Sequence, residues 1–142
     1  MDANNPVVTL CVEGIRAELE DRFDEARLFY QRAWDARTDH YTASIAAHYL
    51  ARCQDTLEDS LTWNLLALEY AYAVKDERVQ DFFPSLYMSL GRSYEMLGGK
   101  VQAQRYYRLT AGLGFISQLD SEDDAVKWLK IFFWIQPRGV PK

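Results

Sequence analysis

Glycine and proline are scarce in this chain, at 7 and 4 of 142 residues. A turn-rich all-β domain needs more of both, so that class is disfavoured. Histidine and cysteine are scarcer still, with two of each. His40 and His48 lie eight apart, which is not the four-residue zinc spacing of one helical face. No Cys or Ser stands in a recognisable arrangement with a positioned His, so no nucleophile–base pair is expected. Cys11 and Cys53 sit within apolar helical patterns and are read as buried reduced thiols, which suits a cytoplasmic protein. There is no basic excess: the net charge is −5. Nucleic-acid binding rests on neutralising phosphates, so it is not expected. No run of 18 apolar residues exists, so no membrane span is expected. Met1 to Pro6 lacks a basic stretch ahead of an apolar core, so no signal peptide is expected.

Other chemical signatures are also missing. There is no GxGxxG after a strand and no GxxxxGK[ST] loop. The acids Asp120, Glu122, Asp123 and Asp124 resemble a calcium loop only superficially. Such a loop needs glycine at its sixth position and glutamate at its twelfth, where Ala125 and Ile131 stand. Acid pairs such as Glu18 with Glu20 and Glu58 with Asp59 fall at helix ends or on solvated faces, and no cleft is visible to shift a pKa. No cofactor, no metal site and no enzymatic activity are expected.

What is present is helical periodicity and aromatic side chains, 7 Phe, 9 Tyr and 4 Trp. Apolar residues recur at three- and four-residue spacing almost throughout. Asn5-Pro6 reads as a cap followed by proline in the first turn. Thr56-Leu57-Glu58-Asp59 reads as a capping box with Asp in place of Glu. Gly98-Gly99 reads as a helix stop. These signals give about seven helices, over 6–20, 23–38, 40–53, 57–75, 78–97, 100–116 and 121–135. Pro84 should kink the fifth or split it into a turn plus 84–97. The expected core includes Leu10, Ile15, Leu19, Phe23, Leu28, Tyr30, Trp34, Ile45, Leu50, Leu65, Leu68, Leu86, Leu90 and Tyr94.

The short connections predict antiparallel hairpins within one domain spanning 1–142. Three units align. The first carries Gly14, Phe23-x-x-Ala26-x-x-x-Tyr30-x-x-Ala33. The third carries Gly91-x-x-Tyr94-x-x-Leu97-Gly98, then Ala103-x-x-x-Tyr107. The second is weaker, with Ala51, Ser60, Ala67 and Leu68. Over roughly residues 7–117 this resembles the tetratricopeptide repeat family. The resemblance implies an all-α superhelix of helix-pair repeats at about 7–40, 41–75 and 84–117, with a C-terminal capping helix. It also implies a module that binds protein or peptide. Two features depart from the family. His48 stands where glycine or alanine is expected, unless a one-residue slip puts Ala47 there. The gap before the third unit exceeds the family's spacing, and the excess is assigned to a longer fourth helix and the Asp76–Phe83 lead-in. Longer units of this sort occur in bacterial members, so a bacterial, cytoplasmic protein is expected.

Carried over by register, the groove positions are Val8, Cys11, Ile15, Glu18 and Leu19, then Thr42, Ile45, Tyr49, Arg52 and Cys53, then Ser85, Met88, Arg92, Glu95 and Met96. Arg52 and Arg92 either grip a ligand carboxylate or pair with Glu18 and Glu95. His48 either packs or lines the groove; His40 is a surface or capping residue. The lysine–asparagine carboxylate clamp of co-chaperone members is absent, since Cys11 and Ile15 hold those positions. The alternative function is an accessory or regulatory protein holding a small ligand in the groove.

The last predicted helix is apolar nearly all round. Ala125, Trp128, Leu129 and Phe132 can cap the third hairpin, which leaves Ile131, Phe133, Trp134 and Ile135 to be covered. Trp and Phe anchor interfaces. With Trp128, these residues are assigned to self-association as a homodimer. Contact with another protein and burial in the chain's own groove are the other two routes.

Overall fold

The first helix begins where its orphan N–H groups are satisfied. Asn5 Oδ1 accepts from Val7 N at 2.9 Å, and Pro6 occupies the first turn. The computed structural model describes residues 4–113. Among them are six α-helices and no strand: α1 Pro6–Leu19, α2 Phe23–Asp35, α3 His40–Leu50, α4 Leu57–Ala73, α5 Phe83–Met96 and α6 Lys100–Gly112. Two 3-10 segments, Ala51–Cys53 and Glu77–Phe82, extend α3 and lead into α5. The seventh predicted helix, 121–135, lies outside the described residues, as do Trp128, Ile131, Phe133, Trp134 and Ile135.

Each boundary has a local cause. Thr56 Oγ1 accepts from Asp59 N at 3.1 Å and starts α4. Asp39 starts α3 through a reciprocal box with Thr42. Pro84 lacks the N–H that a helix interior requires, so the predicted fifth helix is split: the 3-10 segment comes first, and α5 opens with proline in its first turn. The α1–α2 and α5–α6 turns close in the same way. Asp21 (φ 61°) and Gly98 (φ 83°) adopt the left-handed conformation. Arg22 N donates back to Ala17 O at 2.8 Å, as Gly99 N does to Tyr94 O at 2.8 Å. This is the glycine-type helix stop, met at Asp21 by a residue that tolerates it.

Consecutive helices pack as pairs, α1 on α2, α3 on α4 and α5 on α6, and the pairs join through α2–α3 and α4–α5. Two hydrogen bonds give the direction of the middle pair. Ser44 Oγ donates to Ala67 O at 2.9 Å and Ser60 Oγ to Ala51 O at 2.7 Å, which is an antiparallel arrangement. The backbones approach closely over small residues: Ala17, Ala26, Ala33, Ala46, Ala47, Ala67, Ala71 and Ala103 are all buried. Gly14 lies under the Tyr30 ring, where an added Cβ would meet Cε1 at 2.2 Å; Gly91 lies under Tyr107 in the same way, at 2.5 Å.

The spacing is regular. The step from Pro6 to His40, which start α1 and α3, equals the step from Phe23 to Leu57, which start α2 and α4. The step from His40 to Phe83 likewise equals the step from Leu57 to Lys100, so all three pairs keep the same offset between their two helix starts. This second step is the longer one. Its surplus falls in the long end of α4 and the 3-10 segment before α5. These starts put His48 and Asn64 at the places of Gly14 and Tyr30, so the large residue moves to the first helix and no slip to Ala47 is needed.

The expected core needs correction at four positions. Leu19, Phe23, Leu28 and Leu65 are exposed, Leu19 and Leu28 at 66% and 64%. The buried stripe of α2 is Ala26, Tyr30 and Ala33, and Leu28 lies off it. Val7, Val8, Tyr41, Val79, Phe82 and Phe83 join the core instead. No helix among the described residues is long and apolar enough to cross a membrane.

Candidate functional site

α1, the end of α3, and α5 bring together residues at matching register positions. Glu18 ends α1 with its side chain 1% exposed, and its carboxylate accepts from Arg52 Nε at 3.1 Å. The Tyr30 hydroxyl, from α2, donates to the same carboxylate oxygen. One buried acid thus joins three elements. Burial is the first cause that lifts the Tyr30 phenol far above its usual range, and the Glu18 charge adds to it. Burial works against the Arg52 charge, but Glu18 overrides it and holds the guanidinium above its ordinary basicity. Such a pair is costly to desolvate and costly to break. Of the two roles left open for Arg52, pairing with Glu18 is the one observed.

Tyr49 stacks on Tyr30 with ring centroids 5.5 Å apart. His48 meets Tyr49 edge-on at 4.9 Å and Phe82 at 5.1 Å. It is buried, and its Nδ1 has no hydrogen-bond partner among the described residues. Burial, then the nearby Arg52 charge, pushes the His48 pKa down to about 3. The imidazole is therefore neutral packing material at physiological pH. Burial likewise raises the Cys11 thiol and the Tyr49 phenol, each to about 12. Neither is a nucleophile at neutral pH.

Arg92 of α5 is half-buried and feels Tyr107, Arg52 and Glu95; burial is the main cause that lowers its pKa. Tyr107 is raised to about 12, first by burial and then by Glu95, with which it shares a hydrogen bond. The Glu95–Tyr107 pair is the third unit's counterpart of Glu18–Tyr30 in the first. Of the predicted groove residues, Cys11 is buried; Ile15, Tyr49, Arg52, Met88 and Arg92 are half-buried; Glu95 is exposed. Val8, Thr42, Ile45 and Cys53 belong to the interior. His40 is exposed at the start of α3, its ring 5.9 Å from that of Tyr70.

Sequence reasoning missed Tyr30 as a member of this cluster, because its repeat position marked it as core packing alone. Its signal was the twelve-residue spacing from Glu18 to Tyr30, which recurs from Glu95 to Tyr107. Among the described residues no group of three His, Cys, Asp or Glu side chains is placed to hold a metal ion. The chain matches no family model, no curated protein and no solved structure.

Proposed function

We propose that this chain is a helical-repeat binding module resembling tetratricopeptide proteins, which takes a protein or peptide along the face of α1, α3 and α5. It self-associates through the aromatic segment containing Trp128, Ile131, Phe133, Trp134 and Ile135, and it works in the cytoplasm. What supports this reading is the matched spacing of three consecutive helix pairs. Helix starts keep step through all three pairs, and glycine under tyrosine and a left-handed turn recur in the first and third. Repeated pairs stack their first helices side by side, and that stacking makes an extended recognition surface. Ile15, Tyr49 and Met88 give this surface apolar contact area; Arg92 and Glu95 give it charge of both signs.

Affinity capture with the full chain tests the reading. Wild type should retain specific proteins that a Tyr49→Ala, Arg92→Glu variant of unchanged circular dichroism releases. Light scattering should show a dimer that Trp134→Glu converts to monomer. Identical capture by both proteins, together with a strict monomer at high concentration, would overturn it.

A further inference from the structure

The connection between the second and third pairs is longer than a connection needs to be. Residues 36–39 are enough to join α2 to α3, whereas residues 74–82 join α4 to α5. The surplus lies lengthwise on α3. The Arg78 guanidinium sits 4.5 Å over the Tyr41 ring and 3.6 Å from the Asp39 carboxylate, at the start of that helix. The Phe82 ring meets His48 edge-on at 5.1 Å, about two turns further along. Four residues of 3-10 helix rise about 8 Å, and seven of α-helix about 10 Å, so the two run in step. Val79 and Phe82 are buried. Glu77, Arg78, Gln80 and Asp81 are exposed.

This segment sits where the other pairs have a side chain of their own. His48 holds the place that Gly14 and Gly91 hold in the other first helices. There a tyrosine of the second helix, Tyr30 or Tyr107, lies on the glycine. In the middle pair Asn64 stands at the tyrosine place and donates to Ser93 Oγ at 2.9 Å, and Phe82 of the connection brings its ring to this position instead. The seat is not matched to phenylalanine. His48 is buried, and its Nδ1 has no hydrogen-bond partner among the described residues. Such an atom is costly to leave unpaired, and an occupant that brought it a hydrogen-bonding group would hold the seat better. The outer latch is weak as well. Arg78 pairs with Asp76 at 2.9 Å and with Asp39, and all three side chains are about half exposed, so water screens them.

We propose that residues 76–82 are an internal occupant of a docking site on α3, and that a peptide with an arginine, an apolar residue next to it and a phenylalanine four places after the arginine takes their place. This rests on the reading of the chain as a peptide-binding module and names what one part of its surface recognises. Arg78, Val79 and Phe82 display the pattern. The tethered copy is present at an effective concentration of about millimolar, so the site is closed to weak ligands and opens to one that outcompetes it.

Acylation of histidine by diethyl pyrocarbonate, read by mass spectrometry on the full chain, tests the inference. His40 is exposed and is the internal standard. In wild type His48 should react at least tenfold more slowly. Arg78→Glu sets a third acid against Asp39 and Asp76 and should raise the His48 rate at least fivefold, with hydrogen exchange in α1 and α2 unchanged. An acetylated and amidated peptide of residues 76–83, added to that variant, should slow His48 again; the same peptide with Phe82→Ser should not. An unchanged His48 rate in a folded Arg78→Glu chain overturns the inference, as does a raised rate that the peptide fails to lower or that both peptides lower equally. If Arg78→Glu loses protection in α1 and α2 as well, it has unfolded, and the milder Arg78→Ala with the same two peptides decides. A chain that meets every expectation here yet captures no protein through Tyr49 and Arg92 refutes the groove proposed above and not this site.

Discussion

Acid should weaken this protein through a single imidazole. His48 is enclosed by Tyr49 and Phe82, with Arg52 nearby, and its pKa stands at about 3 against an ordinary 6.5. Between those two values the unfolded chain takes up a proton that the folded chain refuses. The native state thus holds its full His48 contribution above pH 6.5 and loses it progressively as the pH falls toward 3. At pH 5 the unfolded histidine sits about 1.5 pH units below its own pKa, which amounts to about 2 kcal/mol at roughly 1.36 kcal/mol per unit. That is a large fraction of a net stability of about 5–15 kcal/mol. Urea titrations of wild type at pH 7.5 and pH 5.0 should differ by about this amount. His48→Gln and His48→Leu should each abolish most of that difference, whatever they cost at pH 7.5. Asp39 and Asp76, whose carboxyls are held below their usual range chiefly by the Thr42 N–H and by Arg78, are common to all three proteins and cancel in the comparison. If wild type and both variants lose the same stability between the two pH values, His48 is not the neutral buried group described above.

Other substitutions probe the remaining contacts. Gly14→Ala adds a Cβ against a Tyr30 ring that is held by Tyr49 stacking and by Glu18; despite the better helix propensity of alanine it should cost about 1–3 kcal/mol in a thermal melt. Asp21→Gly relieves a left-handed residue at φ 61° and should stabilise by about 1 kcal/mol, seen as a higher melting temperature. Glu18→Gln strands the Arg52 charge and should cost about 3–5 kcal/mol in urea, while Glu18→Leu with Arg52→Met should recover most of that loss.

Much of the helical order was legible because caps and stops are local chemistry. Asn5-Pro6, Thr56 and Gly98 each announce a boundary through one side chain or one φ angle. The start of α3 at His40 was legible as well, although its box, which pairs Asp39 with Thr42 rather than with a glutamate, was not. The left-handed turn at Asp21 was hidden for a similar reason: no glycine marks it. The core was misjudged where size stood in for position. Leu28 is large and apolar but lies off the stripe, whereas Ala26 and Ala33 are small and fully enclosed. Periodicity gives the direction of a buried face and not its width. In the candidate site, the Glu18–Arg52 partnership followed from register as one of two options. Tyr30 joining them was legible only in the matching Glu95–Tyr107 spacing, since a tyrosine at a core position shows by periodicity its ring and not the partner of its hydroxyl.

The cluster of Glu18, Tyr30 and Arg52 ties the first helix pair to the second. Glu18 and Tyr30 belong to the first helix pair, whereas Arg52 follows the third helix. The counter-charge of the Glu18 acid comes from Arg52, beyond the end of α3. Within α1 and α2 alone Glu18 keeps the Tyr30 hydroxyl but has no opposite charge. The internal charge balance of the first pair is thus completed only by a residue of the next one, which couples the stability of α1 and α2 to the docking of the segment that carries Arg52.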